Sequence, residues 1–117
     1  MRLGLGIGII ALALGGCSPA AHIAVTVRSA SDISFKVTTE KGDPGCIDRI
    51  VVRDASGVTR WEIARQAGEK ACLQEISFPK VPSGFAAQQH AAALAAGTYQ
   101  VEAKSGIYRG VADFTVN

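Results

Sequence analysis

Ile23-Ala24-Val25-Thr26-Val27-Arg28, a break at Ser29-Ala30-Ser31-Asp32, then Ile33-Ser34-Phe35-Lys36-Val37-Thr38: this stretch decides the fold class. In both runs apolar side chains trade places with small or polar ones. A period of two puts every second side chain on one face of an extended chain, so each run reads as a strand with one dry and one wet face. The break consists of residues that favour turns. Downstream the same grammar continues. Glu40-Lys41-Gly42-Asp43-Pro44-Gly45 is a loop, punctuated by Gly and Pro. A third strand is expected over 47–54, with Ile50 and Val52 inward. Ala55-Ser56-Gly57 is a tight turn, so 58–64 should return antiparallel as a hairpin, with Trp61 and Ile63 on one face. After a polar loop at 65–70, the run 72–78 sets Cys72, Ile76 and Phe78 on one side. At the C-terminus Tyr99, Val101 and Ala103 alternate with Gln100, Glu102 and Lys104. Ser105-Gly106 turns the chain, and Ala112, Phe114 and Val116 then alternate with Asp113 and Thr115.

Between 79 and 96 the alternation lapses. Pro79, Pro82, Ser83 and Gly84 oppose a regular element at its start. The Ala-rich part, 86–96, has the propensity for a short helical stretch, with Phe85 and Leu94 as its anchors to the core. The pattern amounts to about seven short strands, with turn signals every eight to twelve residues or so, and it predicts an all-β, two-sheet sandwich.

Upstream of the strands the chain changes character. Met1–Gly16 reads MRLGLGIGIIALALGG: one positive charge at Arg2, an uncharged apolar run from Leu3 to Leu14, then two glycines. The run is shorter than the roughly 20 residues a membrane-spanning helix needs and fits the apolar region of an export signal. Leu14-Gly15-Gly16-Cys17 resembles the lipobox of bacterial lipoproteins. The resemblance implies cleavage before Cys17, acylation of its thiol and of the new amine, and a membrane held through that lipid. Two or more acyl chains make such anchoring stable. Ser18 follows Cys17 where an Asp would imply retention in the inner membrane, so the resemblance implies the outer membrane, facing the periplasm. The expected organisation is a signal at 1–16, a lipidated tether at 17–21 and a β-domain at 22–117.

Removing the signal leaves a domain of about 100 residues, enough for one thin core. With Cys17 taken by lipid, Cys46 and Cys72 remain as an even pair in an oxidising compartment, which predicts a disulfide. In the chain-entropy picture a loop of that length stabilises by about 3.5 kcal/mol. A metal or redox role would need a third soft ligand or a Cys-x-x-Cys spacing, and neither is present. The 12 basic and 10 acidic residues nearly cancel and form no basic stripe, so nucleic acid is not an expected partner.

His22 and His90 stand apart from each other and from any ligand-spaced partner. Asp43 and Asp48 read as a loop and a strand-end residue. The serines lie in turns without a Gly-x-Ser-x-Gly, and no Gly-rich loop leads into a helix. No catalytic, cofactor-binding or metal-ligating residue is therefore expected, and no small-molecule substrate is evident. Trp61 reads as a core residue rather than a ligand platform, and Pro82-Ser83-Gly84-Phe85 as a connection with Phe85 tucked in.

Leu94-Ala95-Ala96-Gly97-Thr98-Tyr99-Gln100-Val101 resembles the corner between strands E and F of immunoglobulin-like domains. There a Tyr hydroxyl bonds back to the main chain. Tyr99 takes that role by resemblance, although Val101 stands where antibody domains carry a Cys. The wider pattern runs Cys46 … Trp61 … Cys72-Leu73 … Ile76 … Pro82-x-Gly84-Phe85 … Leu94-x-x-Gly97-x-Tyr99-x-Val101 … Phe114-x-Val116. It resembles small proteobacterial lipoproteins with an immunoglobulin-like sandwich, a group that brings no activity with it. The expected function is that of an envelope structural or interaction module, with another envelope protein as partner through a sheet edge or the 79–96 connection. The alternative is an inhibitor of an envelope-attacking hydrolase such as lysozyme, because Ser105-Gly106-Ile107-Tyr108 resembles the Ser-Gly-x-x-Tyr loop of periplasmic lysozyme inhibitors, with one residue rather than two between Gly and Tyr.

Overall fold

The computed structural model describes residues 20–39 and 45–117, and the signal, Cys17 and Asp43 lie outside them. Eight strands follow one another: β1 Ala21–Ser29, β2 Asp32–Thr39, β3 Arg49–Asp54, β4 Thr59–Arg65, β5 Glu75–Phe78, β6 Phe85–Gln89, β7 Gly97–Ser105 and β8 Tyr108–Val116. They form a three-stranded sheet, β1-β2-β5, and a five-stranded sheet, β6-β4-β3-β7-β8, all antiparallel. The chain is an immunoglobulin-like sandwich: β1, β2 and β5 take the places of strands A, B and E, and β3, β7 and β8 those of C, F and G.

The alternation read in the sequence sets the registers. Ile33, Phe35 and Val37 of β2 and Ile76 and Phe78 of β5 face Ile50, Val52, Trp61, Ile63, Tyr99, Val101, Ala103, Phe114 and Val116 across the sandwich, all buried. Trp61 meets Phe78 edge-on at 5.0 Å between ring centroids and lies 6.4 Å from Phe35, so one indole joins both layers. Val51 is buried on the opposite face, between Glu62 and Glu102 of the neighbouring strands. The aliphatic stems of long charged side chains roof it there.

Four expectations are corrected. Strand β1 starts at Ala21, which is buried, and Ala20 bridges Arg109, so the folded domain reaches into the expected tether. The outer half of β1 is drier in pattern than in fact: Ile23 and Val25 are half-buried and Val27 is exposed. The reason is position, since β1 is an edge strand lying over β8, the outermost strand of the other sheet. Cys72 is exposed and lies before β5, which begins only at Glu75. The Ala-rich connection holds no helix: 85–89 form β6, which pairs with β4. Unpaired donors and acceptors on the edge of β4 offer 85–89 a ladder, and that outweighs the weak helical preference of alanine.

Glycine decides one close approach. Gly110 of β8 lies against β1 so closely that a Cβ there would overlap the Ala21 carbonyl oxygen. The start of β1 can therefore rest on β8 only because this residue has no side chain.

Candidate functional site

The two ends of the sandwich differ. At the first end lie the start of β1, the lead-in to β3, the 66–74 connection and the β7–β8 turn. Here Cys46 and Cys72 form a disulfide (S–S 2.02 Å). It ties the lead-in of a strand in the five-stranded sheet to the lead-in of a strand in the three-stranded one. The Ile47 N–H donates to the Leu73 carbonyl at 2.9 Å beside it, so covalent and hydrogen bonds close this end together. Asp48 is the hub of the polar groups. One carboxylate oxygen pairs with Arg65, and the other accepts the Gly106 N–H at 2.6 Å. Ser105 is 2% exposed, and its hydroxyl donates to the Cys46 carbonyl at 2.9 Å. The serine of the loop likened to that of lysozyme inhibitors is thus turned inward, and Ile107 is what the turn presents to solvent.

At the opposite end the β3–β4 turn and the 89–97 connection enclose an open groove of about 570 Å³. Its walls are Asp54, Ser56 and Arg60 on one side and the Ala-rich chain from Gln89 to Gly97 on the other, with Thr98 and Tyr99 at its base. Each wall is held by a local device. Asp54 accepts the Ser56 and Val58 N–H groups at 2.9 and 3.0 Å and the Arg60 guanidinium at 2.8 Å. The Val58 N–H is the chief cause holding its carboxyl below the ordinary aspartate value; desolvation opposes, and Arg60 and Ser56 add to the lowering. On the other wall Leu94 is buried, its N–H donating to the Ala30 carbonyl at 2.9 Å. The Tyr99 hydroxyl donates to the Ala95 carbonyl at 2.6 Å, as the corner resemblance implied. Tyr99 also stacks on Phe114 at 5.6 Å. Phe85 and Leu94 are both in the core, as expected of anchors; between them Ala86, Ala87 and Ala91 are half-buried, and Gln88, Gln89, His90, Ala92 and Ala93 are exposed. His90 is exposed on this groove, and His22 is exposed on the outer face of β1, far from it.

A third surface is the outer face of the five-stranded sheet, where Arg49 pairs with Glu62 at 3.2 Å and Arg53 with Glu102 at 2.9 Å. Arg109 also pairs with Glu102. Sequence reading missed this lattice because its members lie on four strands that only the sheet order brings together. Among the described residues no three His, Cys, Asp or Glu side chains converge as a metal site. Among the described residues the broadest feature of the end opposite the disulfide is the open groove, with the Asp54–Arg60 ion pair on its rim. No protein-family model, curated protein or solved structure matches this chain, so its function is argued from the geometry above.

Proposed function

We propose that this chain is a lipid-anchored protein of the bacterial cell envelope, held through Cys17 in the outer membrane and facing the periplasm, whose sandwich is a non-enzymatic protein-interaction module. One observation carries the reading: the start of β1, four residues after Cys17, and the Ala-rich groove lie at opposite ends of the strands. A nine-residue strand spans about 30 Å. A domain tethered at Cys17 therefore holds the groove well away from the bilayer, where a periplasmic protein reaches it. An open groove walled by alanines suits an extended protein segment better than a small molecule, which calls for a more enclosed apolar pocket. Asp54 is committed to its turn and kept ionised, which leaves it fit for a rim contact and unfit as a proton donor. The disulfide accords with an oxidising compartment.

Two measurements test this. Cys17→Ser should accumulate as unprocessed precursor without incorporated fatty acid; maturation to the same size with retention in membranes overturns the anchoring. A photo-reactive residue at His90 or Ala93, in living cells, should crosslink to a discrete partner. The same residue at Thr26, on the outer face of the other sheet, should not. Equal yield at all three positions overturns the role of the groove.

A further inference from the structure

We infer that the β7–β8 turn is a second, direct contact with the lipid bilayer, with Ile107 entering the boundary between headgroups and acyl chains and holding the sandwich upright beside its anchor. The inference rests on the lipid anchoring through Cys17 proposed above.

The reach of the chain sets the distance. Ser18 and Pro19 alone separate Cys17 from Ala20. An extended chain covers at most about 3.6 Å per residue, so Cys17 lies within about 11 Å of Ala20 whatever path those residues take. Ala20 is no loose end: it bridges Arg109 in parallel, and Ala21 is seated on Gly110. The lipid on Cys17 consequently draws this end of the sandwich down to the membrane surface. The remaining gap is narrower than a folded partner domain, so the surface that meets this end is the bilayer itself.

What this end presents is apolar at its tip. Ser105 and Tyr108 form the last pair of the ladder, and Gly106 and Ile107 project beyond it. Gly106, at φ 62°, supplies the positive angle that a two-residue hairpin turn requires. Nothing in turn chemistry asks for the residue that follows, since turns favour Gly, Asn, Asp and Ser. Yet the position holds Ile107, 73% exposed and the most exposed large apolar side chain among the described residues. It stands two residues from Arg109, the very residue that Ala20 touches. The tip is also preorganised. Asp48 holds the Gly106 N–H, and Ser105 is locked to Cys46, so inserting the tip orders nothing that was loose. Lys104 lies directly behind the tip and is exposed, where a cationic head meets lipid phosphates while an apolar side chain goes deeper; its cross-strand neighbour Arg109 is shared with Glu102.

The test uses the full chain, lipidated in a bacterial host and reconstituted into phosphatidylethanolamine–phosphatidylglycerol vesicles with brominated acyl chains, which quench tryptophan on contact. Trp61 is the sole native tryptophan and is buried, so it gives a constant background. Ile107→Trp should shift its emission to the blue and lose most of it to the brominated chains. Val58→Trp, at an exposed position on the opposite end, should do neither. If Ile107→Trp floats with the vesicles yet is quenched no more than Val58→Trp, the second contact is overturned and the anchor stands. If the chain does not float with vesicles at all, the anchoring fails and the contact falls with it.

Discussion

Replacing Trp61 by alanine tests the core on which every surface described above depends. Trp61 is 1% exposed and sits in β4 opposite Val52, with its ring against Phe78 and Phe35 of the other sheet. Truncation removes a side chain that reaches aromatic partners on two strands of the opposite layer. A buried Trp→Ala change costs about 3–5 kcal/mol through lost transfer energy and the cavity left behind. The upper half of that range is expected here, because the edge-on pair with Phe78 adds about 0.5–1.5 kcal/mol beyond area burial. In a domain of this size a loss of about 4–5 kcal/mol lowers the melting temperature by roughly 16 to 40 °C, against a typical total stability of about 5–15 kcal/mol. The assay is urea denaturation of residues 18–117 with the disulfide intact. It should be followed by far-UV circular dichroism, since the substitution removes the only indole fluorophore. Trp61→Phe, which keeps part of the ring contact, should fall between the two. A midpoint unchanged by Trp61→Ala would refute the burial of this residue and make Trp61 itself the first candidate for a binding face.

The remaining predictions concern the links around that core. Tyr99→Phe removes the hydroxyl that donates to Ala95 and should cost on the order of 1 kcal/mol in the same titration; no loss means the corner bond contributes nothing. Cys46→Ala should cost about 3.5 kcal/mol for its loop, and protein isolated without reductant should show no alkylatable thiol at 46 or 72 by mass spectrometry. Gly110→Ala should destabilise by about 1–3 kcal/mol, because the carbonyl of Ala21 is main chain and must move with the whole start of β1. Hydrogen exchange at 20–25 should rise in that variant and leave β3 protected. Glu102 predicts the acid limb of stability. Burial pushes its carboxyl up, but hydrogen bonds from Arg53 and Arg109 outweigh it and hold the group below the ordinary glutamate value. A carboxylate lowered on folding contributes stability that is fully present above that ordinary value and is lost as pH drops through the lowered one. Glu102→Gln should therefore flatten the fall in stability between about pH 5 and pH 3, and an unchanged acid slope counts against the Arg53–Glu102–Arg109 link.

Much of this molecule is written in residue order. Period-two alternation specified which side chains of β2, β4, β7 and β8 face inward, because the pleat allows no other assignment once one face must be dry. Trp61, Tyr99, Phe85 and Leu94 were legible as core residues for the same reason: large apolar rings and chains gain most from burial. The all-β sandwich followed from the spacing of the turns, and the pairing of Cys46 with Cys72 from arithmetic on the cysteines left after Cys17. The tertiary structure alone decided what depends on neighbours distant in sequence. Residues 85–89 became a strand because an edge of β4 stood open beside them, a fact that alanine propensity cannot carry. Val27 stayed exposed, despite a perfect alternation, because β1 is an edge strand lying over β8, the outermost strand of the opposing sheet. Ser105 turned inward because Gly45 leaves the room its hydroxyl fills next to the Cys46 carbonyl. The groove, the charged face and the exposed tip at Ile107 exist only where strands from different parts of the chain come to lie together. Sequence dictates the face a side chain takes on its own strand; what that face meets is set by sheet order and by the ends at which the loops gather.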